Sequence, residues 1–144
     1  MSPVVSAARA WIGTPYVHQA SVRGAGTDCL GLLRGVWREL LGPEPETPPA
    51  YTRDWSEPQG EERLLAAGRS YLIPRSLDRP EPGDVLVFRM RENAVAKHIG
   101  IQARTGPEAS FIHAYTGHGV IESPLSQAWS RRIAARFAFP LENR

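Results

Sequence analysis

Near the start of the chain, apolar residues recur at the spacing of an α-helix. Ser2 is a favourable N-cap residue, and Pro3 suits the first position of a helix. The pattern therefore predicts a helix that begins after Ser2 and ends at Gly13. Its expected apolar stripe consists of Val4, Val5, Ala8, Trp11 and Ile12.

A second helix is predicted over 28–41, after a loop of small residues. Gly42 and Pro43 give it a clear stop. Gly31 and Gly35 lie inside it, where each glycine costs about 1 kcal/mol relative to alanine. We therefore expect another element to pack closely against that helix. The expected apolar stripe consists of Leu30, Leu33, Trp37 and Leu40 or Leu41.

The rest of the chain changes from helical to strand-like patterns. The proline-rich stretch 43–60 excludes regular structure, and it is either a surface connection or a cleft wall that offers Tyr51 and Trp55 to a ligand. A short helix is predicted over 61–72. Short β-rich segments separated by turn formers then follow. These are 83–90, 98–104, 109–115, 119–123 and 133–139. Helices followed by an antiparallel sheet predict an α+β fold.

The composition indicates one globular domain spanning 1–144. Domains typically hold ~100–200 residues, and 42% of this chain is hydrophobic against 22% charged. The formal net charge is only +2, with no long run of like charges, so nothing in the charge indicates nucleic-acid binding. No apolar stretch reaches the ~18 residues of a membrane span.

Cysteine and histidine usage narrows the possible chemistry. A single cysteine excludes an internal disulfide and multi-cysteine zinc sites. No two histidines have the spacing of a metal-binding helix, so we expect no metal. The first residues lack a basic start followed by a long apolar run. We therefore expect synthesis in the cytoplasm without a signal peptide, and delivery by another agent if the protein acts outside the cell.

Cys29 stands at the predicted start of the second helix. Free amide groups and the helix dipole stabilise negative charge there. A nearby histidinium could lower the thiol pKa further, and the thiolate is a nucleophile. The alternative is a small buried residue without a chemical role, since free cysteine is commonly buried.

Two histidines lie in adjacent strand candidates. His98 opens one strand and His113 lies inside the next, so a hairpin between them would make the two cross-strand neighbours. A histidine beside a second polar ring is the arrangement of a base and its orienting partner. His18 and His118 lie in loops, where solvated side chains are expected.

Three blocks of the sequence resemble the NlpC-type cell-wall peptidases, which are papain-like cysteine enzymes that cut the peptide stems of peptidoglycan. The first block is "GTPY" followed by "TDCLGLLRGVW". The second is "PGDVLVF" followed by "KHIGI", and the third is "FIHAY". Each block alone is weak, but their order and spacing together are specific. The resemblance implies a papain-like fold in which helices carry the nucleophile and pack on the C-terminal sheet.

The resemblance also implies a role for each site residue. Cys29 would be the nucleophile, His98 the general base and His113 the polar residue that orients it. Tyr16 matches a tyrosine near the nucleophile that binds substrate or supports the oxyanion site. Asp28 matches an acidic residue that holds the amino group of the substrate.

Two departures from the family pattern affect the substrate side of the site. Leu30 replaces the common serine after the cysteine, and the loop after Tyr16 lacks the usual tryptophan and paired glycines. That loop, with the 51–55 stretch, resembles variants found in tailed phages and gene transfer agents. Proteins of such a particle would then be partners and would deliver the enzyme to the cell wall or periplasm.

The resemblance implies a peptidoglycan endopeptidase that cuts the bond between D-glutamate and a diamino acid. Two alternatives stay open. One is a papain-like amidase or acyltransferase, and the other is an inert wall-binding tail module. For the endopeptidase the substrates are stem peptides, and neither nucleic acid nor a membrane is involved. The cysteine mechanism that the resemblance implies requires no metal or organic cofactor.

Overall fold

A computed structural model of the chain describes residues 2–45 and 62–141. Tyr51 and Trp55, proposed as walls of a cleft, lie outside these residues. The helices are α1 (Pro3–Arg9), α2 (Cys29–Leu41), α3 (Arg63–Tyr71) and the one-turn α4 (Gln127–Ser130). The strands are β1 (Ser21–Val22), β2 (Gly26–Thr27), β3 (Ile73–Arg75), β4 (Val85–Arg89), β5 (Ala96–Arg104), β6 (Ser110–Tyr115), β7 (Gly119–Pro124) and β8 (Ile133–Ala138).

The main sheet is antiparallel and has six strands in the order β3-β8-β4-β5-β6-β7. Five of these strands fall where the sequence pattern predicted them. The sixth, β3, was not predicted, and neither was the hairpin of β1 and β2 inside the small-residue loop. Helices on an antiparallel sheet confirm the α+β fold.

The two faces of the sheet bury different sets of residues. One face packs against α1, α2 and α3 through aliphatic side chains such as Val85, Ile101 and Ile112. The opposite face buries a smaller cluster built on Leu86, Phe88 and Phe111, which α4 covers with Trp129. The candidate histidines lie beside this second, aromatic cluster.

Helix α1 begins as predicted but ends earlier. The Ser2 hydroxyl accepts a hydrogen bond from the Val5 amide at 3.2 Å, which confirms the N-cap. The helix stops at Arg9, and turns carry the chain to Gly13 at φ 95°. Ile12 therefore leaves the apolar stripe and is 46% exposed, so its predicted burial was wrong.

Helix α2 has the predicted ends, and its predicted apolar stripe packs against the core, but the most buried positions lie on a neighbouring face. Leu30, Leu33 and Trp37 are only half-buried, whereas Leu32 and Val36 are fully buried. The glycines explain this rotation. A Cβ at Gly31 would overlap the Ala20 carbonyl, and one at Gly35 would overlap the Trp11 ring. The close approach expected at these glycines is confirmed, and it fixes which face of the helix is packed.

Candidate active site

Cys29 occupies the first position of α2 and is 7% exposed. The helix begins there because Asp28 is its N-cap, with Oδ1 accepting from the Gly31 amide at 2.8 Å. Asp28 Oδ2 also accepts from the Gln19 amide at 2.7 Å, which joins the preceding loop to the helix start. One carboxylate, only 2% exposed, therefore fixes the backbone on both sides of the cysteine.

The thiol of Cys29 is held in its protonated form. Burial, followed by the charge of Asp28, raises the pKa of Cys29 from 9.0 to about 12. Hydrogen bonding by the backbone of Ile99, Leu30 and Cys29 itself opposes that rise without cancelling it. The lowered thiol pKa expected from the helix dipole and a histidinium was therefore wrong. Desolvation is the larger effect, so this cysteine needs a base to remove its proton.

His98 and His113 are in direct contact, as the sequence predicted. Nε2 of His98 lies 2.8 Å from Nδ1 of His113, and both rings are buried. Nε2 of His113 in turn lies 2.9 Å from Oγ of Ser123 in β7. The pairing of β5 with β6 covers Ile101 to Arg104 of β5, so the two imidazoles meet just beyond the end of that pairing. The result is a chain of hydrogen bonds that fixes the ring of His98.

Both imidazoles are neutral at ordinary pH. Burial lowers the pKa of His98 to about 3, with a further contribution from His113. Burial also lowers the pKa of His113 to about 4, with a contribution from His118. A neutral His98 can accept a proton, and the bond to His113 leaves its Nδ1 for that task.

One pocket brings together the cysteine, the first histidine and both predicted substrate-side residues. Tyr16 is placed there by a bridge to Thr27, just before the helix start. The lining residues are Tyr16, His18, Asp28, Cys29, Met90, Lys97, His98, Ala114, Tyr115 and Thr116. His113 is not among them, and it stands behind His98 as a supporting residue.

The two remaining histidines have different environments. His18 is half-buried and lines the pocket, with Nδ1 3.8 Å from Oδ2 of Asp28, so it is less solvated than expected. The β1–β2 hairpin explains this, because it folds the loop back over α2. His118 is exposed as predicted, and its ring stacks on Tyr115 with centroids 5.5 Å apart.

Sequence reasoning missed two residues that support the histidines. Ser123 could have been found, because strand alternation puts it on one face of β7 with Ile121, the partner of His113. Trp129 gave no periodic signal, since α4 is a single turn between two strands. Its half-buried ring has its centroid 5.6 Å from that of His98 and 5.4 Å from that of His113.

Within 2–45 and 62–141, no three His, Cys, Asp or Glu side chains come together as metal ligands would. In the same residues, no helix has both the length and the apolar character needed to cross a membrane.

Solved structures of NlpC/P60 domains, which have the papain-like fold, share this arrangement of helices and sheet. The NlpC/p60 domain of the peptidoglycan hydrolase SagA superimposes with a TM-score of 0.64 at 24% identity, covering 96% of this chain and 100% of that one. An NlpC/P60 family protein from Bacillus cereus ATCC 10987 gives 0.63 at 18% identity, covering 96% of this chain and 39% of that one. These likenesses establish the fold.

The family follows from the sequence comparisons. The model of the NlpC/P60 family matches residues 13–137, and the chain belongs to that family, whose members are cysteine peptidases. A curated relative, the gamma-DL-glutamyl hydrolase of Bacillus subtilis (strain 168), is 33% identical over 125 residues. That match covers 87% of this chain but 26% of the relative, so the chain corresponds to about a quarter of that protein.

Proposed function

We propose that the chain is a peptidoglycan endopeptidase that hydrolyses an amide bond of the stem peptide, between D-glutamate and a diamino acid. One observation carries the proposal. Cys29 and His98 line the same pocket, and the bond from His98 Nε2 to His113 leaves Nδ1 of His98 for proton transfer. The names of two similar proteins agree with the substrate, one a peptidoglycan hydrolase and the other a gamma-DL-glutamyl hydrolase.

Deprotonation of the thiol is the first requirement of the mechanism. The raised pKa of Cys29 means that little thiolate is present before substrate binds. His98 accepts the thiol proton as the sulfur attacks the carbonyl carbon of the amide. A C–S single bond forms, and the π electrons of the carbonyl move to its oxygen. His98 is unprotonated in the free protein, but its low pKa makes it a weak base, so the proton transfer must be concerted with attack of the sulfur on the carbonyl carbon.

The same residues complete the reaction. The tetrahedral oxyanion accepts a hydrogen bond from the Cys29 amide at the helix start. The imidazolium of His98, oriented by His113, protonates the leaving amine as the C–N bond breaks. Water then attacks the thioester, which releases the acid product and restores the thiol. Tyr16, at the pocket wall, binds the substrate or supports the oxyanion.

Mass spectrometry of purified peptidoglycan after incubation with the protein tests the proposal. Release of fragments that end at D-glutamate is expected, together with fragments that carry a new free amine on the diamino acid. Intact stems after incubation would contradict the endopeptidase assignment. Release of acyl groups from ester or lipid substrates, with stems intact, would instead favour an amidase or acyltransferase of the same shape.

A catalytically inert wall-binding module is the second alternative. Such a module would sediment with peptidoglycan without releasing any fragment. Delivery by a phage tail or gene transfer agent, with its proteins as partners, stays a prediction. Recovery of the chain in purified particles, and loss of wall digestion by particles that lack it, would test that prediction.

A further inference from the structure

Lys97 is the only lysine among the 17 lysine and arginine residues of the chain. It also lines the pocket that contains Cys29, directly before His98 in β5. Among the described residues of that lining, it is the only lysine or arginine. All the other residues in this count are arginine, so Lys97 is the one position where the chain has a lysine side chain in place of a guanidinium. Lysine offers a compact ammonium on a flexible stem, whereas arginine offers a broad planar fork.

A bulge in the sheet explains how Lys97 reaches the pocket. Phe88 of β4 pairs with His98, but the next residue, Arg89, pairs with Ala96. Lys97 is therefore the extra residue of β5. In a regular strand, Lys97 and His98 would point to opposite faces. The bulge redirects one of them, as bulges beside active sites commonly do, so both side chains border the same pocket.

Among the described residues, the pocket lining contains one lysine, Lys97, and one buried acidic side chain, Asp28, so a ligand can place an anionic group at Lys97. The carboxylate of Asp28 is buried, and its two oxygens accept the Gly31 and Gln19 amides. His98 is neutral, because burial keeps its pKa low. Lys97 is half-buried and lines the pocket, so part of its side chain packs against the protein beside the site. An anionic group of a bound substrate would gain a charge-assisted hydrogen bond there.

We propose that Lys97 binds a carboxylate of the substrate next to the scissile amide, and so selects acidic over amidated peptides. The inference deepens the proposed function and rests on it for the peptide. When glutamate is linked through its side chain, its α-carboxylate stays free beside the bond that is cut. Lys97 is thus a specificity-determining residue of the same site.

Two peptides with the same γ-glutamyl bond give the first test. One carries the free α-carboxylate and the other the carboxamide. The wild-type protein should show kcat/KM about tenfold higher for the carboxylate, the gain of a hydrogen bond to a charged group. Lys97→Met should bring the ratio of the two values to about one, and Lys97→Arg should keep part of the preference. Exposed Arg79 provides the matched control, since Arg79→Met removes the same charge outside the pocket.

Alkylation gives a second test that needs no peptidase activity. Cys29 is the only cysteine, so a mass increase reports on this residue alone. With iodoacetate or iodoacetamide, the sulfur bonds to the methylene carbon, iodide leaves and the thiol proton passes to solvent. The rate ratio of the anionic to the neutral reagent should fall several-fold in Lys97→Met and stay unchanged in Arg79→Met.

The outcomes separate the two proposals. A Lys97→Met protein that keeps either the wild-type peptide preference or the wild-type alkylation ratio would overturn the role of Lys97. If the wild-type protein cleaves neither peptide, the proposed function fails. The alkylation ratio then still decides whether Lys97 attracts a carboxylate to the pocket.

Discussion

Nε2 of His98 lies 2.8 Å from Nδ1 of His113, so the second imidazole holds the first through a single hydrogen bond. Ser123 continues the chain at 2.9 Å from Nε2 of His113. His113 does not line the pocket, whereas His98 does. The two histidines therefore have different tasks, one transferring protons and the other setting the orientation and tautomer of its partner.

Substitutions at these two positions should differ in severity. His98→Ala removes the base and should lower kcat/KM by ~10²–10⁴-fold. His113→Asn keeps a polar partner for Nε2 of His98 and should retain more activity than His113→Ala. Values of kcat/KM on one stem peptide decide the order. His118→Ala is the matched control, because that ring is exposed and lies outside the pocket lining. A silent His113→Ala beside a damaging His118→Ala would reverse the assignment.

Asp28→Asn should reduce the stability of the protein. Asparagine can still accept the Gly31 amide, but its NH₂ group would face the Gln19 amide, which is also a donor. A loss of about 1 kcal/mol in the free energy of unfolding is expected, the usual scale of a helix cap. If Asp28 also holds the amino group of the substrate, KM should rise more for stems with a free amine than for acetylated stems. If KM rises equally for both kinds of stem, Asp28 serves only as the N-cap of α2.

Trp129 is expected to be a positioning residue for the histidines. Its ring also lies near Phe88 and Phe111, with centroids 5.3 Å and 5.1 Å away, and together these rings exclude water from His98. Trp129→Ala should expose the imidazoles, so the pKa of His98 should rise towards its ordinary value and the acid limb of kcat/KM should move to higher pH. Trp129→Phe should keep the wild-type limb. If the acid limb of kcat/KM is the same in Trp129→Ala as in the wild type, Trp129 has only a packing role.

The low pKa values of the histidines predict how stability depends on pH. In the unfolded chain these imidazoles take up protons as pH falls below their ordinary pKa of 6.5, but in the folded protein they stay neutral to about 3 and about 4. The unfolded state then binds more protons, so the free energy of unfolding should fall as pH is lowered from about 7 to about 5. Urea unfolding at several pH values measures this, and His113→Asn should show a shallower fall. Stability that rises over the same interval would contradict the buried, neutral pair.

The parts of the site that local patterns specify were predictable. Cys29 follows a capping residue, and alternation in β6 puts Phe111, His113 and Tyr115 on one face, where their rings are in contact. Helix capping and strand alternation act between residues close in sequence, so they can be read without a structure. The helix start and the histidine pair were therefore predicted correctly.

Features that depend on distant contacts were not predictable in the same way. The most buried face of α2 is decided by the contact of Trp11 with Gly35, so the stripe of larger residues packs against the core only at its edge. The bulge at Lys97 depends on the register between two strands. The raised thiol pKa of Cys29 comes mainly from burial by the whole fold and only secondly from the charge of its neighbour Asp28, and the burial cannot be read from the sequence around it.

Hydrolysis of a defined stem peptide by the wild-type protein and by Cys29→Ala is the most direct test of the central claim. The substitution removes one small buried group, at a cost of about 1 kcal/mol in folding free energy, so the variant should fold and give a wild-type circular dichroism spectrum. We expect the wild-type protein to cleave the peptide and kcat/KM of Cys29→Ala to fall to the level of the uncatalysed reaction. Activity of a folded Cys29→Ala within tenfold of wild type would contradict the assignment of Cys29 as the nucleophile.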